Sequence, residues 1–362
     1  MMKVALVYDR VNKWGGAERV LLVLHKIWPE APLYTSVYDP KAAPWAKVFE
    51  VRTSFLQKLP FLRRHHEWLA WLMPLAFESF NFDEFDLVIS VTSEAAKGIV
   101  TKPKTKHLCY CLTPTRYLWS SYEEYFRNKW FKFLAKPMVS YLKKWDLVAC
   151  QRPDRYLAIS KTVLERIKKY YGREGEVVYP PVDLNKFKIT NQNSKFFLVV
   201  SRLVPYKKVD IVVQAFSQLG WNLKIVGVGS KMKKLKRMAK ENIEFLGQLT
   251  DEELVGYYQN CQAVIFPQEE DFGIVPLETQ ACGKPVIAFR GGGATETVID
   301  GKTGLFFYPQ TVKSLVRVLR EFGGDEGKFK AEDCRKQAEK FSEERFLKEF
   351  MKGVSDGVTR VK

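Results

Sequence analysis

The chain has 362 residues, 46% of them hydrophobic, with 58 Lys and Arg against 41 Asp and Glu for a net charge of +17. That length exceeds one ordinary core and suits two domains, and the apolar fraction excludes a disordered or fibrous chain. The positive excess asks for an anionic partner, which composition leaves open among nucleic acid, anionic lipid and phosphorylated small molecules.

The first nine residues form a short apolar strand and a polar loop, without the long apolar region and small-residue cleavage site of a signal peptide. No run of about 18 uncharged apolar residues is long enough to span a bilayer, so the protein is expected in the cytosol. A buried-type strand over 3–8 leads through Gly15-Gly16-Ala17-Glu18, which opens a helix over 17–28 and is placed to meet a phosphate. Further short apolar runs at 33–37, 87–91, 108–112, 157–160 and 177–179 alternate with helical stretches, the pattern of a parallel sheet covered on both faces. Two segments of this half interleave cations with large aromatics. The first, 55–82, mixes Lys58, Arg63, Arg64, His65 and His66 with Trp68, Leu69, Trp71, Leu72, Met73 and Phe77. The second, 119–145, carries Arg127, Lys129, Lys132, Lys136, Lys143 and Lys144 among Trp130, Phe131, Phe133 and Tyr141. Such stretches suit a surface lying on anionic headgroups, with helix faces packed into a core as the alternative. Six cysteines, Cys109, Cys111, Cys150, Cys261, Cys282 and Cys334, have neither zinc-ligand nor redox spacing and read as small buried hydrophobes.

Tyr179-Pro180-Pro181-Val182-Asp183 bars helix and central strand alike and reads as a linker. Beyond it the alternation restarts, with strands at 196–201, 223–226, 243–246, 263–266, 285–289 and 305–307. Helices are expected at 210–219, 231–240, 251–259 (capped by Thr250), 275–282 (stopped by Gly283), 311–322, 331–340 and 343–353. The fold expected is α/β: two doubly wound Rossmann-like domains facing a cleft. The first covers 1–180, with 341–362 packing back onto it, and the second covers 181–340. Ligands of such sheets bind at the carboxyl ends of the strands.

The most informative stretch runs from Pro267 to Val286: strand, acidic loop, helix, glycine stop, proline, strand. Glu270 precedes the helix and Glu278 lies about a turn into it. Gly273 admits close approach of a ligand, the amides at the helix start suit an anion or a polyol oxygen, and the carboxylates can take paired hydrogen bonds from sugar or ribose hydroxyls. An exposed acidic turn capping a helix is the alternative. Arg202 and Lys207 leave a strand end together, as a guanidinium and an ammonium neutralising a diphosphate would, or as a solvated basic loop. Gly227-Val-Gly229 follows a strand as a nucleotide-contacting turn does, though a lone Gly-x-Gly is a weak signal. Gly291-Gly292-Gly293-Ala-Thr-Glu296 is another glycine loop at a strand end.

Across 202–296 these elements resemble glycosyltransferase family 4, the retaining GT-B enzymes, in particular the bacterial mannosyltransferase-like branch that builds envelope polysaccharides. The resemblance implies that Arg202 and Lys207 bind the diphosphate of a GDP- or UDP-linked sugar. It also implies that Glu270 contacts the sugar, Gly273, Ile274 and Val275 offer backbone contacts, Glu278 holds the ribose, and Gly16 lies near the diphosphate. No cofactor and no metal are expected, since no Asp-x-Asp pair lies beside the glycine loops. The acceptor implied is a lipid-linked, polyprenyl-diphosphate-borne or free saccharide, which would place the protein peripherally on the inner face of the plasma membrane. One position departs: in Tyr110-Cys111-Leu112-Thr113-Pro114, Leu112 stands where the family carries a histidine beside the reacting sugar, and His107 reads as a packed or edge residue. A nucleotide-sugar-binding protein with weak or no transfer is therefore the second reading, and an epimerase or phosphorylase on the same architecture a third. A nucleic-acid reader lacks a recognised motif, and a nicotinamide dehydrogenase lacks the three-glycine fingerprint.

Overall fold

The computed structural model describes residues 2–58, 70–126, 128–190, 195–324 and 326–359. The chain divides into two compact units, Met1–Tyr179 with Leu347–Lys362, and Pro180–Phe346, the boundary falling at the double proline. Of the two basic aromatic segments, Arg63, Arg64, His65, His66, Trp68, Leu69 and Arg127 lie outside the described residues.

Among the described residues the first unit holds seven parallel strands: β1 (Val4–Tyr8), β2 (Leu33–Thr35), β3 (Val51–Thr53), β4 (Leu87–Thr92), β5 (Lys106–Cys111), β6 (Arg155–Ala158) and β7 (Glu176–Val177), in the order β3-β2-β1-β4-β5-β6-β7. The central strands are buried on both faces because helices cover each side, and this is why they read as continuous apolar runs. Sequence and structure differ at the strand ends. The run at 33–37 stops at Thr35, where the Ser36 hydroxyl bonds the Asp9 carbonyl, and the run at 157–160 stops at Ala158, because Ser160 caps the next helix through the Val163 amide at 3.1 Å. No periodic run in the sequence marks strand β3. It is three half-buried residues with Arg52 at its centre, too short and too polar for a periodic signal.

The second unit repeats the design with β8 (Phe197–Val200), β9 (Leu223–Val226), β10 (Ile243–Gly247), β11 (Val264–Phe266), β12 (Val286–Phe289) and β13 (Gly304–Phe307), all parallel and ordered β10-β9-β8-β11-β12-β13. Its core packs Phe197, Val199, Ile225 and Ile265 of the sheet against Val212, Val213 and Phe216 of the helix Val209–Leu219 and Leu315, Leu319 and Phe322 of the helix Val312–Gly323. Thr250 does cap the helix Asp251–Asn260, in a reciprocal box: its side chain accepts from the Glu253 amide at 3.2 Å while Glu253 accepts from the Thr250 amide at 2.8 Å. The last helix, Glu343–Thr359, runs six residues beyond the expected end; from Leu347 it belongs to the first unit, where Phe350 is buried against Tyr110 and Trp28.

Candidate functional site

In both sheets the order of connection reverses beside the first strand of the unit, between β1 and β4 and between β8 and β11. Such a switch point opens a crevice at the carboxyl strand ends because the two loops leave in opposite directions. In the second unit those loops are the ones singled out above: β8 runs into Ser201–Lys208 and β11 into Pro267–Gly273.

The structure joins them through one ion pair. Lys207, only 8% exposed, pairs with the Glu270 carboxylate. Lys207 closes a short helical turn, Pro205–Lys207, and the next residue, Lys208, takes the left-handed conformation (φ 54°), which turns the chain into the helix Val209–Leu219. Tyr206 gathers the cations. Arg202, exposed, donates to its hydroxyl and lies 5.9 Å over its ring, while the Lys207 ammonium lies 5.1 Å from the same ring. Arg202 and Lys207 therefore do converge, through an aromatic, Tyr206, that carries no signal in the sequence.

The acidic side is built on a glycine wall. Gly293 donates its amide to the Glu270 carbonyl at 2.9 Å, and a Cβ on Gly292 (φ 58°) would lie 2.2 Å from that oxygen. Any side chain there would push the Glu270 backbone away from Lys207. Gly273 (φ 81°) starts the helix Ile274–Ala281, and a Cβ on it would lie 2.8 Å from the Phe266 ring. The first amides of a helix have no partners within it. Pro276, the third helical residue, has no N–H, so the donors of this helix start are concentrated at Gly273, Ile274 and Val275. Glu278 sits on the same helix but is 2% exposed, with one carboxylate oxygen accepting from the Tyr258 hydroxyl at 2.8 Å. Tyr258 orients this carboxylate and carried no signal in the sequence. On the other flank Gly227 (φ 129°) donates to the Gly247 carbonyl at 2.6 Å, and a Cβ there would sit 1.9 Å from the Ser201 carbonyl oxygen. Its glycine is what allows the loops after β8 and β9 to touch. The site thus offers a paired ammonium and carboxylate, an exposed guanidinium and a row of helix-start amides, a set suited to an anion attached to a hydroxyl-rich group.

The first unit treats its switch point differently. Asp9, at the end of β1, is buried and accepts from the Ser93, Glu94, Ala95 and Ala96 amides at 2.7–3.0 Å and from the Thr92 hydroxyl at 2.8 Å. Beside it Lys97 and Asp146 form a buried pair at 2.6 Å, and Trp119 donates to the same carboxylate at 2.7 Å. Gly16 opens the helix Gly16–Ile27; a Cβ on it would meet nothing within 4 Å, so packing does not require glycine there. Leu112 follows β5, half-buried, its amide on the Thr92 carbonyl at 2.8 Å. His107 is a packed residue, as its sequence context suggested: it is buried, bonded to the Ser90 hydroxyl at 2.8 Å, and burial together with the Arg152 charge lowers its pKa to about 3. All six cysteines are buried and unpaired with one another, and burial pushes the Cys261, Cys282 and Cys334 thiols up to about 12.

Comparison with known proteins bears on both units. Residues 182–341 match the family model for glycosyl transferases group 1. An uncharacterized glycosyltransferase of Methanocaldococcus jannaschii is 32% identical over 205 residues, covering 54% of this chain and 58% of that relative, less than two thirds of its length. The alpha-1,3/1,6-mannosyltransferase ALG2 of Dictyostelium discoideum is 26% identical over 305 residues, 71% of this chain and 70% of its own. Among solved structures, Anabaena HepE in complex with UDP superposes with a TM-score of 0.75 at 20% identity, covering 98% of this chain and 100% of that one. That likeness shows the fold, two Rossmann-like domains of the GT-B type.

Proposed function

We propose that the chain is a glycosyltransferase. It moves a sugar, mannose or a close relative, from a nucleoside-diphosphate donor to a lipid-linked or polysaccharide acceptor, with retention of configuration and without a metal, in the manner of the bacterial branch of family 4. The observation that carries this reading is the Lys207–Glu270 pair at the switch point of the second sheet, seated against the glycine wall at 291–293. The match of residues 182–341 to a glycosyltransferase family and relatives named mannosyltransferases support the activity and the sugar; the UDP of the Anabaena protein supports a nucleotide donor of UDP or GDP type.

On this reading the donor diphosphate replaces Glu270 as the partner of Lys207, and Arg202 reaches it from the exposed side. The bond from the anomeric carbon to the phosphate oxygen breaks and the nucleoside diphosphate departs with the electron pair. Both cations stabilise the charge that develops there. The acceptor hydroxyl attacks the same face, its oxygen forms the new glycosidic bond, and its proton passes to a phosphate oxygen of the leaving group. Glu270, released from Lys207, orients the sugar hydroxyls, the amides of Gly273, Ile274 and Val275 contact the donor, and the buried Glu278 holds the ribose end. Gly16 and Gly227 supply approach for the diphosphate and the nucleoside.

The test is sugar transfer from GDP- and UDP-linked donors to a saccharide acceptor, with and without a chelator. Transfer that survives chelation is expected; abolition by chelation, restored by metal, overturns the metal-free step. One observation favours a second reading. Leu112 brings no proton-transferring group to the end of β5, so donor binding without transfer across a panel of acceptors would make the chain a nucleotide-sugar-binding protein.

A further inference from the structure

The helix Lys129–Ala149 has two apolar faces, and only one of them belongs to the fold. Ala135, Val139 and Leu142 are buried with Leu118 and Phe126 in a cluster of the first unit. On the opposite side Trp130 is 79% exposed, Phe133 70% and Leu134 72%, and Tyr141 and Val148 are also exposed. At 3.6 residues per turn these positions fall on one stripe along the helix. On the segment that the Trp145 indole ties to this helix through Glu78 at 2.7 Å, Trp71 and Leu75 are exposed as well. Isolated exposed hydrophobes are ordinary in soluble proteins; a continuous stripe led by Trp, Phe and Leu is not.

The charges beside the stripe select the partner. The helix has five lysines and a single acid, Asp146, and that acid faces inward, bound to Lys97 at 2.6 Å. Lys136 and Lys144 are exposed along the stripe, and Lys143 lies over the Trp119 and Tyr122 rings at its edge. A second copy of this chain would bring the same lysines against these, in a protein of net charge +17. Among the described residues no helix is long and apolar enough to cross a membrane. An apolar stripe rimmed by lysines, on a helix too charged to span, matches the in-plane amphipathic helix that seats on anionic headgroups. We infer that the outward face of the helix Lys129–Ala149 is a membrane-docking surface for anionic lipid, with Trp130, Phe133 and Leu134 entering the interface and Lys136 and Lys144 at headgroup level. This holds independently of the donor reading, because no donor-site residue takes part.

The experiment is vesicle flotation with neutral phosphatidylcholine and with vesicles carrying about a third phosphatidylglycerol, near physiological and at high salt. Wild type is expected to float with the anionic vesicles only, and to lose binding tenfold or more at high salt. Lys136→Gln with Lys144→Gln should weaken binding by about fivefold for each charge removed, and Phe133→Ser with Leu134→Ser should abolish it. All four side chains point away from the core, so melting temperature and nucleoside diphosphate binding serve as controls and should not move. Absence of binding to anionic vesicles near physiological salt, or equal binding by wild type and the Phe133/Leu134 variant, overturns the inference. So does a lipid-free dimer that the Phe133/Leu134 substitution dissolves, since the stripe then belongs to a second copy.

Discussion

The ion pair between Lys207 and Glu270 makes a prediction that separates its two roles. Lys207 is 8% exposed and the Glu270 side chain 20%. Breaking a fully buried pair by removing one partner costs about 3–5 kcal/mol, because a charge is left uncompensated. Water reaches Glu270, so Lys207→Met is expected to cost less, about 1–3 kcal/mol of stability. Glu270→Gln strands a more buried ammonium and should cost a similar amount, while the double variant should lose less than the sum, with a coupling of about 1 kcal/mol or more. Nucleoside diphosphate affinity should split the two residues. If Lys207 is the cation that meets the diphosphate, as proposed, Lys207→Met should weaken UDP or GDP binding tenfold or more. Glu270→Gln releases the ammonium from its competing carboxylate and should leave that affinity unchanged or tighter, yet lower sugar transfer by about 10² or more, since the sugar hydroxyls then face one neutral amide oxygen in place of a charged carboxylate. Urea unfolding, calorimetric titration with UDP and GDP, and a transfer assay on the four proteins measure all of this. Additive stabilities within about 0.5 kcal/mol would remove the coupling. Equal loss of diphosphate affinity in both single variants would refute the division of labour.

Three further expectations follow from the same geometry. Gly227→Ala places a methyl 1.9 Å from the Ser201 carbonyl oxygen at φ 129°, so it should destabilise the second unit by more than about 2 kcal/mol in urea unfolding and abolish nucleotide binding; a stable variant would refute the loop contact. Leu112→His, at a half-buried strand end, should raise transfer without changing donor affinity, and no change in either would remove this position from the reaction. His107 is lowered from 6.5 to about 3, so between those values the unfolded chain binds a proton the folded chain does not, and stability should fall by about 1.4 kcal/mol for each pH unit of acidification below 6.5. In His107→Gln that slope should flatten in denaturant titrations from pH 7 to pH 4.

What could be read from residues alone was whatever repeats or punctuates. The buried parallel strands, the double proline, Thr250 as a cap and Gly283 as a stop were visible because each is a local constraint on the backbone. Arg202, Lys207, Glu270 and Gly273 were visible because they cluster at strand ends. The residues that hold them were not. Tyr206 lies between the two cations, Tyr258 sets the Glu278 carboxylate and Gly292 seats the Glu270 backbone, and in each case the meaning comes from a contact across the sheet. Sequence also leaves undivided the two faces of the helix Lys129–Ala149, since Val139 and Leu134 look alike until one is buried and the other is not.

The pairing of two similar sheets sharpens the assignment of the anion. A parallel sheet with this strand order presents amides and helix starts at its switch point, and phosphate is the usual occupant. In the first unit that seat is filled from within: Asp9 brings a full negative charge to four amides and a hydroxyl, and a second anion there would meet both Asp9 and Glu94, which is held by Arg10 at 2.6 Å. In the second unit the corresponding loops bring Lys207 and Arg202 together with the acidic run Glu269-Glu270-Asp271, of which Glu270 pairs with Lys207. Two units of one architecture thus fill equivalent places differently, the first with a buried carboxylate on the loop amides and the second with two cations gathered at Tyr206. On the proposed reading the donor diphosphate is therefore assigned to the switch point of the second unit, where Lys207 and Arg202 can neutralise it, because the amides at that of the first are already occupied by Asp9.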